Sequence, residues 1–130
     1  MSSYQNQRRL YALSGVFLTA AAAAVTVLLG GDLLATSVLA IQVSMIALAG
    51  ICDLVAATGS FGGWAWYRWG GLGNILLGLS LPLGFVGTAW DSIFLLVTGL
   101  GGLSLTAMGI DLVAFHGRYT QQTLLDEHNQ

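Results

Sequence analysis

Two aspartates stand where a charge is most costly. "GICDLVA" at Gly50–Ala56 and "GIDLVA" at Gly109–Ala114 each place one acid, Asp53 or Asp111, inside an apolar run and follow it with the same Leu-Val-Ala. A carboxylate in such surroundings must be paired, hydrogen-bonded or put to use. Pairing with Arg8, Arg9, Arg68 or Arg118 would make each acid an anchor for helix packing. Left unpaired, each would be a proton or ion site. Both roles are open from sequence. Gln42 and Asn74 bring amide groups into apolar runs, where a hydrogen bond to a neighbouring helix, worth about 1 kcal/mol, is the ordinary role.

Other chemistries find no footing. His116 and His128 have no cysteine, histidine or acid at metal-binding spacing, so no metal or cofactor is expected. No phosphate loop, nucleophile elbow or metalloprotease helix occurs, and the expected class is non-enzymatic. Four arginines and no lysine are too few for a nucleic-acid surface. Cys52 is the single cysteine, which rules out an intrachain disulfide.

The elements that must position these residues follow from where charge is missing. The chain has 130 residues, 55% hydrophobic and 8% charged, against about 25% charged in a soluble domain; its mean hydropathy is +0.76. Arg9 and Asp32 enclose 22 uncharged positions, Asp32 and Asp53 enclose 20, Arg68 and Asp91 enclose 22, and Asp91 and Asp111 enclose 19. A helix needs about 20 apolar residues to cross the roughly 30 Å hydrocarbon core. Four runs predict four transmembrane helices, an all-α membrane bundle. The first run is too long for a signal-peptide core.

Every arginine falls on one side of this arrangement, which predicts both termini inside and two tight acidic hairpins outside. The expected organisation is an N-terminal segment 1–9, a first hairpin 10–57, an aromatic cytoplasmic linker 58–68, a second hairpin 69–115 and a polar tail 116–130. A shift of 59 residues matches Arg9 with Arg68, Asp32 with Asp91 and Gly50 with Gly109, and a shift of 58 matches Asp53 with Asp111. This predicts a duplicated hairpin in parallel orientation.

The linker carries Trp64, Trp66, Tyr67 and Trp69 around Arg68. Such amphipathic rings concentrate at the membrane interface, so the cluster is expected to anchor there or to hold a lipid headgroup. Trp90 would mark the opposite interface. Pro82 lacks a backbone donor and crowds the carbonyl of Gly78, which predicts a kink over Gly78–Pro82.

The lysine-free apolar spans, "RWGGLGNILLGLSLPLG" and the acidic hairpins resemble small four-helix membrane proteins of haloarchaea and membrane proteins of haloarchaeal viruses. That resemblance implies a structural place in a cellular or viral membrane and carries over no site residue. The expected function is a structural or accessory role in organising a membrane or a membrane complex. The expected partners are the lipid bilayer and either other membrane subunits or further copies of the chain. The competing expectation is a small oligomeric ion- or proton-coupled channel or transporter using Asp53, Asp111, Gln42 or Asn74.

Overall fold

The computed structural model describes residues 3–31, 37–85 and 92–119. Four helices account for most of them: α1 (Ser3–Leu29), α2 (Ser37–Thr58), α3 (Trp66–Leu83) and α4 (Ser92–Ala114). The chain is all-α. The acidic hairpins around Asp32 and Asp91, Trp90 and the polar tail beyond Tyr119 lie outside the described residues.

α1, α2 and α4 are each long and apolar enough to cross a membrane. α3 does not meet that measure, although its sequence run suggested a fourth span. Its 18 residues open with Trp-Tyr-Arg-Trp and cover about 27 Å. Two boundaries differ from the sequence expectation. The segment before Leu10 is already helical from Ser3, and Trp66, Tyr67 and Arg68 form the first turn of α3 rather than a linker.

The true connection between α2 and α3 is compact. Phe61 and Trp64 exchange backbone hydrogen bonds at 3.1 Å in both directions. Gly62 and Gly63 between them have φ of +62° and +79°. Two successive positive φ values define the tight turn that glycine adopts most readily. Pro82 produces no interior break. The helix runs on to Leu83, and the Gly84 N–H then returns to the Pro82 carbonyl. Pro82 stands one residue before the helix end, so its ring disturbs only the last turn and leaves the Gly78 carbonyl without its usual donor.

The helices pack mainly in chain order, α1 on α2, α2 on α3 and α3 on α4, with no comparable contact between α1 and α4. Each outer crossing is made by glycine on both helices. A Cβ on Gly15 would stand 2.8 Å from the Gly50 carbonyl, and one on Gly50 would stand 3.0 Å from the Gly15 carbonyl. In the α3–α4 crossing, Gly71 faces Gly109 and Gly78 faces Gly102 in the same reciprocal manner. Backbones that approach this closely gain dispersion along their whole length without large side chains.

These crossings bear on the apparent duplication. The 59-residue shift carries Gly50 to Gly109, but it carries Gly15 to Asn74, whereas the partner of Gly109 is Gly71. The two hairpins therefore use the same device in registers three residues apart.

The interior is small. Ala22, Val43, Ala49, Cys52, Ala56 and Leu112 are the buried apolar residues among those described, and three of the six are alanines. Large side chains stay outside instead: Leu28 is 82% exposed, Phe17 72% and Ile93 70%. Hydroxyls on the apolar helices bond to their own backbone, as Thr19 does to the Gly15 carbonyl, Thr26 to Ala22 and Thr106 to Gly102.

Candidate functional site

Asp53 lies five residues before the end of α2, on a face made of small residues. Ala49 and Ala56, one turn to either side, are fully buried. That face lets α1 and α3 close in, and only 5% of Asp53 stays exposed. Ser14 of α1 donates its hydroxyl to Asp53 Oδ2 at 2.7 Å. Oδ1 is buried without a hydrogen-bond partner. It is turned toward α3, where a Cβ on Gly73 would meet it at 2.6 Å and the Ala49 carbonyl at 3.1 Å.

The expected arginine pairing does not occur at this acid: among the described residues no cationic side chain pairs with Asp53. The helix register is the reason. Arg8 stands six residues before Ser14 on α1 and donates Nε to the Ala57 carbonyl at 2.8 Å instead. That carbonyl is among those that the end of α2 leaves without an intrahelical donor.

Asp53 borders a cavity of about 270 Å³ to which all four helices contribute. Gln7, Tyr11 and Ser14 of α1 line it with Asn74 of α3 and Met108 of α4. Leu10 completes the α1 wall. The cavity lies between the two helices that share no extensive contact, α1 and α4. Tyr11 is fixed by its neighbours. Its ring stands edge-on to Trp66 with centroids 5.8 Å apart, and a Cβ on Gly70 would fall 2.5 Å from it.

Asp111 is also 5% exposed but has a different environment. Beyond α4 the chain reverses through His116, with φ of +60°, and Gly117, with φ of +75°. The Asp111 carbonyl accepts from the N–H groups of Phe115 and Gly117, and its carboxylate accepts from the Tyr119 N–H at 3.1 Å. Asp111 also borders a cavity, of about 470 Å³, lined by α4 and by Phe115 and Tyr119 beyond it. The two rhyming acids thus differ in their partners: Asp111 accepts from the backbone that closes its own helix end, and Asp53 accepts from a hydroxyl of another helix.

The aromatic residues form two groups of ring contacts, Phe61 and Trp64 around Trp69, and Tyr11 and Tyr67 around Trp66. Trp64 and Trp69 meet at a tilt with centroids 5.6 Å apart, Phe61 and Trp69 likewise at 6.3 Å, and Trp66 and Tyr67 meet edge-on at 6.0 Å. The Trp69 indole donates to the Phe61 carbonyl at 3.1 Å. Arg68 extends toward α4, where its guanidinium lies 3.0 Å from His116 Nε2. Gln42 is not central in α2. It stands in the second turn, against Gly84 just beyond α3. It is therefore far from Asp53, Asn74 and the cavity.

Several participants were not singled out from sequence as site residues: Gln7, Leu10, Tyr11, Ser14, Gly73, Met108 and His116. A serine in an apolar run is an ordinary observation, and nothing local marked Met108. For His116 a signal existed, because "FHGR" places a glycine three residues beyond the end of α4, where a helix commonly reverses.

Four helices crossing at glycines, with a mostly apolar exterior and two buried carboxylates that each border a cleft, define a small all-α protein, three of whose helices are long and apolar enough to cross a membrane. Residues 6–126 match the family of unknown function DUF7994, and the chain belongs to that family. No curated protein and no solved structure matches it.

Proposed function

We propose that this chain is an integral membrane protein with a structural or accessory, non-enzymatic role, organising a membrane or a membrane complex. The observation that carries this reading is the inverted distribution of apolar surface. Val27 and Leu28 are more than 80% exposed, whereas the buried core consists mainly of small side chains. Contiguous apolar surface of this extent is unfavourable in water and is ordinary against lipid. Hydroxyls bonded within their own helices fit the same solvent, because a bilayer core offers no substitute partner.

In this reading both termini lie on the cytoplasmic or interior side. The Trp64–Trp69 cluster sits at that interface, and the outward faces of α1 and α4 meet lipid, another subunit or a second copy. The test has two arms. Alkaline carbonate washing should leave the chain in the membrane fraction, and release into the supernatant would refute insertion. In a Cys52→Ala background, Ser3→Cys and Tyr119→Cys should react with an impermeant maleimide only after the membrane is opened. Liposomes containing the purified protein should show no selective ion flux.

A second reading, transport, is favoured by one observation: the Asp53 carboxylate has no cationic partner and borders a cleft. Selective flux through those liposomes that Asp53→Asn abolishes would establish it in place of the first.

A further inference from the structure

The cleft at Asp53 has the features of a ligand site. A buried carboxylate is costly unless its charge is compensated, and here the chain supplies one hydroxyl, from Ser14, and no cation. Gln7, Tyr11, Ser14 and Asn74 add neutral oxygen atoms around the same space. Among the described residues no group of three or more histidine, cysteine or acidic side chains is present. One carboxylate balances one positive charge, so a divalent ion would keep a net charge in an apolar setting. A bare monovalent metal ion would fill a small part of about 270 Å³. The remaining wall, Leu10, the Tyr11 ring and Met108, is apolar.

We propose that this cleft binds a small organic monovalent cation: a protonated amine whose ammonium group lies at Asp53 and Asn74 and whose apolar substituent lies along Leu10, Tyr11 and Met108. The ammonium protons go to Asp53 Oδ2, beside the Ser14 hydroxyl, and to the Asn74 and Gln7 amide oxygens, while Oδ1 stays against Gly73. Charge-assisted bonds of this kind are about twice as strong as neutral ones, and the ring face of Tyr11 adds a cation–π contribution. Gly73 is essential to the arrangement. It lets α3 approach without a side chain that would push the carboxylate off Ser14.

The inference concerns binding and holds whether or not the protein transports. Its test uses the full chain in zwitterionic detergent, titrated calorimetrically with n-butylammonium chloride. Potassium chloride controls for ionic strength, and n-butanol provides the apolar group without charge. The expected result is saturable 1:1 binding of butylammonium alone. Asp53→Asn should weaken it at least tenfold, and Asp111→Asn should leave it unchanged.

Should Asp53→Asn fail to fold, Met108→Trp fills the cleft from the opposite wall while leaving the carboxylate intact, and it should abolish the heat of binding. Equal binding of butanol would show that the cleft recognises apolar bulk, and equal binding of potassium would show a site without organic selectivity. Either result overturns the proposal. So does the absence of saturable binding, or an unchanged affinity in Asp53→Asn or Met108→Trp.

Discussion

Asp53 Oδ1 lies directly against the α-carbon of Gly73, so that one added methyl at Gly73 would stand 2.6 Å from the oxygen. The acid of α2 and the glycine of α3 thus form a single contact, and neither can change alone. Gly73→Ala should destabilise the fold by about 1–3 kcal/mol, the usual effect of overpacking a tight contact. Thermal melting in detergent, followed by circular dichroism, measures this. Gly99→Ala is the control. A Cβ there meets nothing within 4 Å, and the change should be neutral or stabilising by up to about 1 kcal/mol through helix propensity.

The α3–α4 crossing should be equally intolerant. Gly78 and Gly102 face each other so closely that a Cβ on Gly78 would lie 2.6 Å from Thr106 Oγ1 and 2.9 Å from its backbone nitrogen. Backbone cannot move aside as the end of a flexible side chain can. Gly78→Val should lower the melting transition by an amount corresponding to about 2–3 kcal/mol, more than Gly73→Ala does.

Arg8 ties the start of α1 to the end of α2 through the Ala57 carbonyl at 2.8 Å. Arg8→Gln should cost about 1 kcal/mol, the low end for a charged hydrogen bond because the site is part-exposed. The diagnostic measurement is amide hydrogen exchange. Protection should fall over the last turn of α2, around Ala56 to Gly59, and stay unchanged in α4.

The turn at Gly62–Gly63 makes a conformational prediction. Both residues hold positive φ, which costs an L-residue about 1–2 kcal/mol. Gly62→Ala and Gly63→Ala should each destabilise by about that amount. They should also shift tryptophan emission, because the turn sets the 5.6 Å contact between the Trp64 and Trp69 rings. Unaltered emission with unaltered stability would show that the turn does not position these rings.

The sequence by itself determined the helical architecture. Its charge-free runs mark out the four helices. Ser104, Ala107 and Ala114 beside Asp111 stay exposed, whereas the small residues beside Asp53, namely Ala49, Gly50 and Ala56, mark a buried face. Periodicity and composition suffice there, because burial of one helix face depends on neighbours only three or four positions away. The Gly-Gly step between Phe61 and Trp64 was a readable hairpin signal of the same local kind.

What only the tertiary structure decided is which side chains meet. The two rhyming motifs predict equivalent acids. Yet Asp53 meets Ser14, 39 positions away, and Asp111 meets Tyr119, eight positions on. Arg8 answers to Ala57 rather than to Asp53, and Gln42 sits at Gly84. These outcomes depend on the registers in which glycines bring helices together. A three-residue difference between the α1–α2 and α3–α4 crossings suffices to give two similar sequences different surroundings. Helix register is fixed by the summed fit of whole surfaces, which no local segment encodes.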